Sequence, residues 1–226
     1  MSKKAASETK SQEEQHLSIV AIGASAGGLT ALRTFFSHVP EKSGVAFVVV
    51  VHLSPEYKSM LAELLQPHIK MPVTQVNKTM LLEPDHVYVI PPNANLNTID
   101  THLRLSELEK EPRQRATVDH FFRTLSVAHG RSAIGVILTG TGSDGTIGLK
   151  EIKANGGLTI VQDPQEAEYD GMPQSAISTG MIDMVLPISE MFKQIQKYIS
   201  TQPRLKLLEP EAQPDEEEHR ILQKIF

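Results

Sequence analysis

Five short apolar runs, Ser18–Ile22, Val45–Val51, Ala133–Leu138, Leu158–Val161 and Asp183–Leu186, alternate along the chain with five stretches of helical periodicity. The helical stretches are Leu29–His38, Lys58–Gln66, Val118–His129, Thr146–Asn155 and Ser189–Ile199. That rhythm predicts an α/β fold, doubly wound, with a mostly parallel sheet and helices on both faces. Strands covered on two sides are apolar throughout rather than alternating, as Val45-Ala-Phe-Val-Val-Val-Val51 is. Between Met71 and Arg115 the rhythm breaks. The short runs His86–Ile90 and Leu96–Leu105, punctuated by Pro91-Pro92-Asn93 and Asn95, predict a small antiparallel hairpin or meander appended to the sheet. No internal repeat is present.

The ends differ from the body. Residues 1–16 are polar, charged and without periodicity, and read as a disordered lead-in with no apolar core of a signal peptide. Residues 17–200 form the α/β body. From Thr201, Pro203, Pro210, Pro214 and Asp215-Glu216-Glu217-Glu218 read as a solvated acidic linker, which passes into the amphipathic start Ile221–Phe226. Residues 201–226 therefore look like a linker followed by the beginning of a truncated next domain.

Composition narrows the function classes. With 226 residues and 40% hydrophobic content the chain can bury one substantial α/β core. The absence of cysteine excludes disulfides, thiolate zinc sites and a cysteine nucleophile, and suits a reducing cytoplasm. The longest apolar run, Val45–Val51, is too short to span a bilayer. Of the net charge of −5, residues 209–226 carry −4, which leaves a nearly neutral body with no basic footprint for nucleic acid.

Candidate chemistry begins at Ile22-Gly23-Ala24-Ser25-Ala26-Gly27-Gly28, between a predicted strand and a predicted helix. A serine at such a glycine-flanked turn is how α/β proteins present a nucleophile, and the free N–H groups of the helix suit a developing oxyanion. Phosphate-binding turns look similar. However, a dinucleotide fingerprint wants glycine where Ser25 stands, and a P-loop wants Lys-Ser/Thr where this chain has Leu29-Thr30. A plain helix cap is the bland alternative.

A serine nucleophile needs a base, and the base an orienting carboxylate. Of nine histidines, most lie inside predicted helices, beside the hairpin runs, in the tails or at helix ends. His52 instead follows the strand Val45–Val51, at the same carboxyl edge of the sheet as Ser25, where sites form in open α/β sheets. The strand Ala133–Leu138 runs into Thr139-Gly140-Thr141-Gly142-Ser143-Asp144-Gly145, and Asp144 is the one charge in that loop. Asp144 also fits a helix cap for the stretch from Thr146, and one residue can do both jobs. An α/β-hydrolase order of Ser, acid, His would need Asp119 followed by His129, both on one predicted helix.

Five segments carry a resemblance: Gly23–Gly28, Val51-His52-Leu53-Ser54-Pro55, Arg113–Asp119, Gly135–Gly145 and Gly171-Met172-Pro173. In this order they are similar to the signature segments of the catalytic domain of the chemotaxis receptor protein-glutamate methylesterase, over about Ser18 to Ile199. The resemblance implies hydrolysis of glutamate γ-methyl esters on the cytoplasmic helices of chemoreceptors, with deamidation of receptor glutamines as a second activity. It implies Ser25 as nucleophile, His52 as general base and then acid, and Asp144 as orienting carboxylate. The oxyanion contacts carry over to the backbone N–H groups of Ala26 and Thr141; a methionine is usual at the latter position and threonine frequent at the former. Gly27, Gly28, Arg115 and Met172 are the candidate substrate-binding residues. No cofactor or metal is called for. The receiver domain usual in the family has no room within residues 1–16, so phosphorylation in cis is not expected to control this chain. The segment His219–Phe226 resembles the start of the receptor methyltransferase domain of methylesterase–methyltransferase fusions. The competing reading from another class is a non-catalytic sensory or scaffold domain of a signalling fusion; a mononucleotide-binding module is disfavoured by the missing lysine after Gly28.

Overall fold

The computed structural model describes residues 17–51, 60–92, 94–107 and 116–208. Ten strands are numbered in chain order: β1 (Ile19–Ala24), β2 (Ala46–Val51), β3 (Val73–Gln75), β4 (Met80–Leu81), β5 (His86–Val89), β6 (Ala94–Ile99), β7 (His102–Glu107), β8 (Ala133–Ile137), β9 (Leu158–Gln162) and β10 (Met184–Leu186). Among the described residues six α-helices join them: α1 (Gly28–Ser37), α2 (Leu61–Leu65), α3 (Thr117–His129), α4 (Thr146–Ala154), α5 (Gly171–Ile177) and α6 (Ile188–Leu208).

Seven strands form one sheet in the order β10-β9-β8-β1-β2-β5-β3, every pair parallel. β1 lies between β2 and β8, so the chain leaves β1 toward one edge and later returns on its other side. That reversal opens a crevice at the carboxyl ends of β1 and β8, the place where doubly wound sheets bind ligands. Alternate side chains feed two cores. On one face Val20, Ile22, Phe47 and Val49 pack with Leu32 and Phe35 of α1 and Phe192 and Ile195 of α6. On the other, Ile19, Ala21, Val48 and Val50 pack with Phe121 and Phe122 of α3, Leu149 of α4 and Met172 of α5.

The middle segment partly departs from expectation. β6 and β7 are the predicted antiparallel hairpin, turning at Asp100 with φ 49°, and β4 adds a third strand to that small sheet. The run His86–Ile90 does not join it. As β5 it inserts into the main sheet parallel to β2, with β3 outside it. Its alternation reflects a strand near the edge, where His86 stacks on Tyr88 with ring centroids 4.5 Å apart. α5 lies outside the five helical stretches, being only seven residues long and too short to show a helical period, with Pro173 in its first turn where no backbone donor is lost. α6 continues past the expected end at Ile199, through Pro203 to Leu208. Tyr198 Oη and Gln202 Nε2 both donate to the carbonyl of Arg131, at 2.8 and 2.6 Å, and hold the helix against the domain where propensity alone would have let it stop. Among the described residues no helix is long and apolar enough to cross a membrane.

Candidate active site

All six residues of β1 are buried, and the chain leaves the sheet at Ser25, which is half-buried at the rim of the crevice. Gly27 closes the turn with φ 74° and stands as N-cap of α1. A methyl group there would lie 2.8 Å from Glu168 Oε2 and would strain the left-handed backbone, so the turn requires glycine. No side chain caps α1 and no acid occupies its first turn, which leaves the positive end of the helix open toward Ser25.

A second loop, following β8, holds this turn in place. Thr139 is its hub. Its carbonyl accepts the Ser25 N–H at 3.0 Å, and its own N–H donates to Gln162 Oε1 at 2.7 Å. Its hydroxyl accepts the Tyr169 N–H at 2.9 Å and lies 3.1 Å from the carbonyls of Ala26 and Tyr169, either of which can take its one proton. Gly140 passes so close to Ser25 that an added methyl would sit 2.9 Å from Ser25 Cβ and 2.2 Å from Met172 Sδ. The segment before and within α5 secures the rest of the loop: Gly140 N–H donates to Tyr169 O at 2.9 Å, and Ser175 Oγ donates to Gly142 O at 3.1 Å.

The two expected oxyanion donors share one construction. In a trans peptide the C=O and the following N–H point in opposite directions, so fixing the oxygen aims the hydrogen. No cis peptide is present among the described residues. The peptide that carries the Ala26 N–H has its oxygen, Ser25 O, tied by Gly28 N–H at 2.9 Å. The peptide that carries the Thr141 N–H has its oxygen, Gly140 O, tied by Met172 N–H at 2.8 Å. Among the described residues neither the Ala26 nor the Thr141 N–H has an acceptor of its own. Both donors are therefore fixed and unspent, one within the serine turn and one in the loop that packs against it, which is the supply that stabilising an oxyanion draws on. Met172 is 1% exposed, so its thioether packs beneath the Gly140 loop while its N–H fixes the carbonyl.

Asp144 lies on this loop, and it caps a helix, though not the one that follows it. Its Oδ1 accepts the Asp119 N–H at 2.9 Å and its Oδ2 the Val118 N–H at 3.1 Å, so its carboxylate sits on the N-terminus of α3. Asp119 and His129 stand at opposite ends of α3, roughly 15 Å apart at 1.5 Å per residue. Asp119 is buried against α4, and His129 Nε2 pairs with Thr98 Oγ1 at 3.0 Å. The α/β-hydrolase order is thereby set aside. His52 and Arg115 lie outside the described residues. Thr139 and Gln162 organise the site without having been singled out; the one signal for Gln162 is a polar residue ending the apolar run of β9. Among the described residues no group of three or more His, Asp or Glu could hold a metal ion.

Comparison with known proteins agrees with this geometry. The family model described as CheB methylesterase matches residues 20–195. A 104.1 kDa Rhodobacter capsulatus protein described as uncharacterized is 41% identical over 69% of this chain and 16% of its own length. A Leptospira interrogans relative is 36% identical over 76% of this chain and 90% of its own length. The protein-glutamate methylesterase/protein-glutamine glutaminase of Photorhabdus laumondii is 32% identical over 81% of this chain and 53% of its own length. The chain thus spans a small part of the first of these relatives and about half of the third. The crystal structure of the Thermotoga maritima CheB methylesterase catalytic domain superposes with a TM-score of 0.74 at 29% identity, covering 80% of this chain and 98% of that one.

Proposed function

Because the chain belongs to the CheB methylesterase family, we propose that it is a serine hydrolase that removes methyl groups from glutamate γ-methyl esters on chemoreceptor cytoplasmic helices and deamidates receptor glutamines. The observation that carries this reading is a serine turn packed against a second loop, with one fixed and unspent N–H donor in each. Ser25 Oγ attacks the ester carbonyl while His52 takes its proton. The tetrahedral oxyanion accepts hydrogen bonds from the Ala26 and Thr141 N–H groups. His52 returns the proton to the departing methoxide, so methanol leaves and an acyl-serine remains. Water, deprotonated by His52, attacks the acyl group; the proton passes to Ser25 Oγ, and the glutamate carboxylate is released. With a glutamine side chain the first leaving group is ammonia instead. Asp144 orients His52 and stabilises its imidazolium.

Of the four residues expected to contact substrate, Met172 is corrected: buried beneath the Gly140 loop, it serves by fixing that loop, while Gly27 and Gly28 keep the turn at Ser25 tight against Glu168 and Ala24 and Arg115 is left as the candidate substrate contact. Operation as one module of a longer protein is supported by the small share of the Rhodobacter relative that this chain matches, and a methyltransferase domain beside it by the likeness of His219–Phe226 to the start of such a domain. The experiment is methanol release from chemoreceptor membranes carrying radiolabelled methyl esters. Ser25→Ala is expected to abolish release with an unchanged melting temperature; release near the wild-type rate would refute the assignment.

A further inference from the structure

α3 and α4 cap each other. Neither helix has a local side-chain cap. Asp144, two residues before α4, accepts the N–H groups of Val118 and Asp119 in the first turn of α3. Asp119 returns the exchange: its Oδ1 accepts the Gly148 N–H in the first turn of α4 at 2.7 Å, and the N–H groups of Ile147 and Gly145 also stabilise its ionised carboxylate. The result is a closed ring. The backbone of Asp119 holds the side chain of Asp144, while the side chain of Asp119 holds the backbone immediately after Asp144.

The ring is tight for a second reason. A methyl group at Gly148 would fall 2.4 Å from Phe122 Cβ and 3.1 Å from Asp119 Cα, so the two helices approach to backbone contact at this point. Asp119 is 7% exposed, and burial, together with the charge of Asp144, pushes its carboxyl above the usual carboxylate range. Two neighbouring carboxylates are tolerable while both helix N-termini face them, so loosening one bond of the ring loosens the other. The loop gripped by the ring carries Asp144 and, three residues earlier, the Thr141 N–H. Slack there displaces Asp144 first, because the start of the loop at Thr139 and Gly140, which holds the Ser25 turn, keeps its own bonds to Gln162, Tyr169 and Met172.

We infer that Asp119 is a positioning residue of the esterase reaction, acting through Asp144 by this reciprocal cap. The inference rests on the reading of Asp144 as the orienting carboxylate. Its test is a double-mutant cycle in kcat and KM on methyl-labelled receptor membranes, assayed well below the melting temperature of each variant. Asp119→Ala is expected to lower kcat roughly 10- to 100-fold with KM within twofold, the scale of a misplaced catalytic group. Asp119→Asn, which keeps an oxygen for the Gly148 N–H, is expected to recover most of the loss. In an Asp144→Asn background Asp119→Ala should cost less than about threefold more, because residues acting as a unit are non-additive. A residue that only holds the fold would lower the melting temperature with kcat intact, or its effect would multiply with that of Asp144→Asn; either result overturns the inference. If Asp144→Asn alone keeps full kcat, the reading of Asp144 falls first and takes the inference with it. Should Asp119→Ala not fold, Asp119→Ser, whose oxygen is too short to reach the Gly148 N–H, replaces it in the cycle.

Discussion

Gly140 and Thr139 show how few atoms set the position of the nucleophile. The thioether of Met172 can swing away from a methyl group at Gly140, but Ser25 Cβ is fixed by the Ser25 N–H bond to Thr139 O. Gly140→Ala is therefore expected to displace Ser25 or the loop and to lower kcat on the order of a hundredfold, as small misplacements do. Its melting temperature should change by only a few degrees. Thr139→Val keeps the shape and removes the hydroxyl, which strips the Tyr169 N–H of its acceptor at a residue that is 1% exposed. An unmade buried hydrogen bond costs about 1–3 kcal/mol. Denaturant unfolding should show a loss of that size together with reduced turnover, whereas a variant of native stability and native turnover would refute the role of the hub.

Among the elements, the helices divide into those that leave their ends open and those that spend them. α1 keeps its N-terminus uncapped beside Ser25, while α3 and α4 spend theirs on the carboxylates of Asp144 and Asp119. α6 is secured near its middle, where Tyr198 Oη lies 2.8 Å from Arg131 O and 3.2 Å from Gly156 O. Burial raises the pKa of the Tyr198 phenol, so it stays a neutral donor across the working range. Tyr198→Phe removes this donor and should cost about 0.5–1.5 kcal/mol in chemical denaturation. Because α6 lies on the face away from the Asp144 loop, kcat should not change.

At the scale of the whole molecule, His86 should cost stability in mild acid, against the opposite effect of Asp119, whose raised carboxyl takes up a proton more readily when folded. His86, at the start of β5, is held below its ordinary pKa of 6.5 by burial, which outweighs the raising effect of the Glu83 charge, and its Nε2 pairs with Thr74 Oγ1 at 2.8 Å. A histidine with a lowered folded pKa binds its proton more readily when unfolded. Its contribution is therefore complete above about pH 6.5 and declines as the pH falls from there toward the folded value. The melting temperature is expected to drop between pH 7.5 and pH 5, and His86→Gln should show a smaller drop over the same range. An equal drop in the two proteins would assign the acid sensitivity to other groups.

Much of this was legible in the amino-acid order because it is local. Continuous apolar runs specify buried parallel strands, 3.6-residue periodicity specifies the helices, and glycine beside Ser25 and in the loop from Thr139 marks sharp turns at strand ends. The carboxyl-edge placement of Ser25 and Asp144 followed from chain direction in a parallel sheet. Only the tertiary structure decided what depends on partners distant in sequence. Whether His86–Val89 joins the hairpin or the main sheet is a choice between neighbours, and propensity does not rank them. The extent of α6 depends on Arg131, more than sixty residues away. Asp144 reads as a cap for the helix that follows it, yet its carboxylate reaches α3, since an N-terminus brought close in space satisfies a carboxylate as well as one close in sequence. The aim of the Thr141 N–H depends on Met172, thirty-one residues onward, because a peptide plane is turned by whatever binds its oxygen.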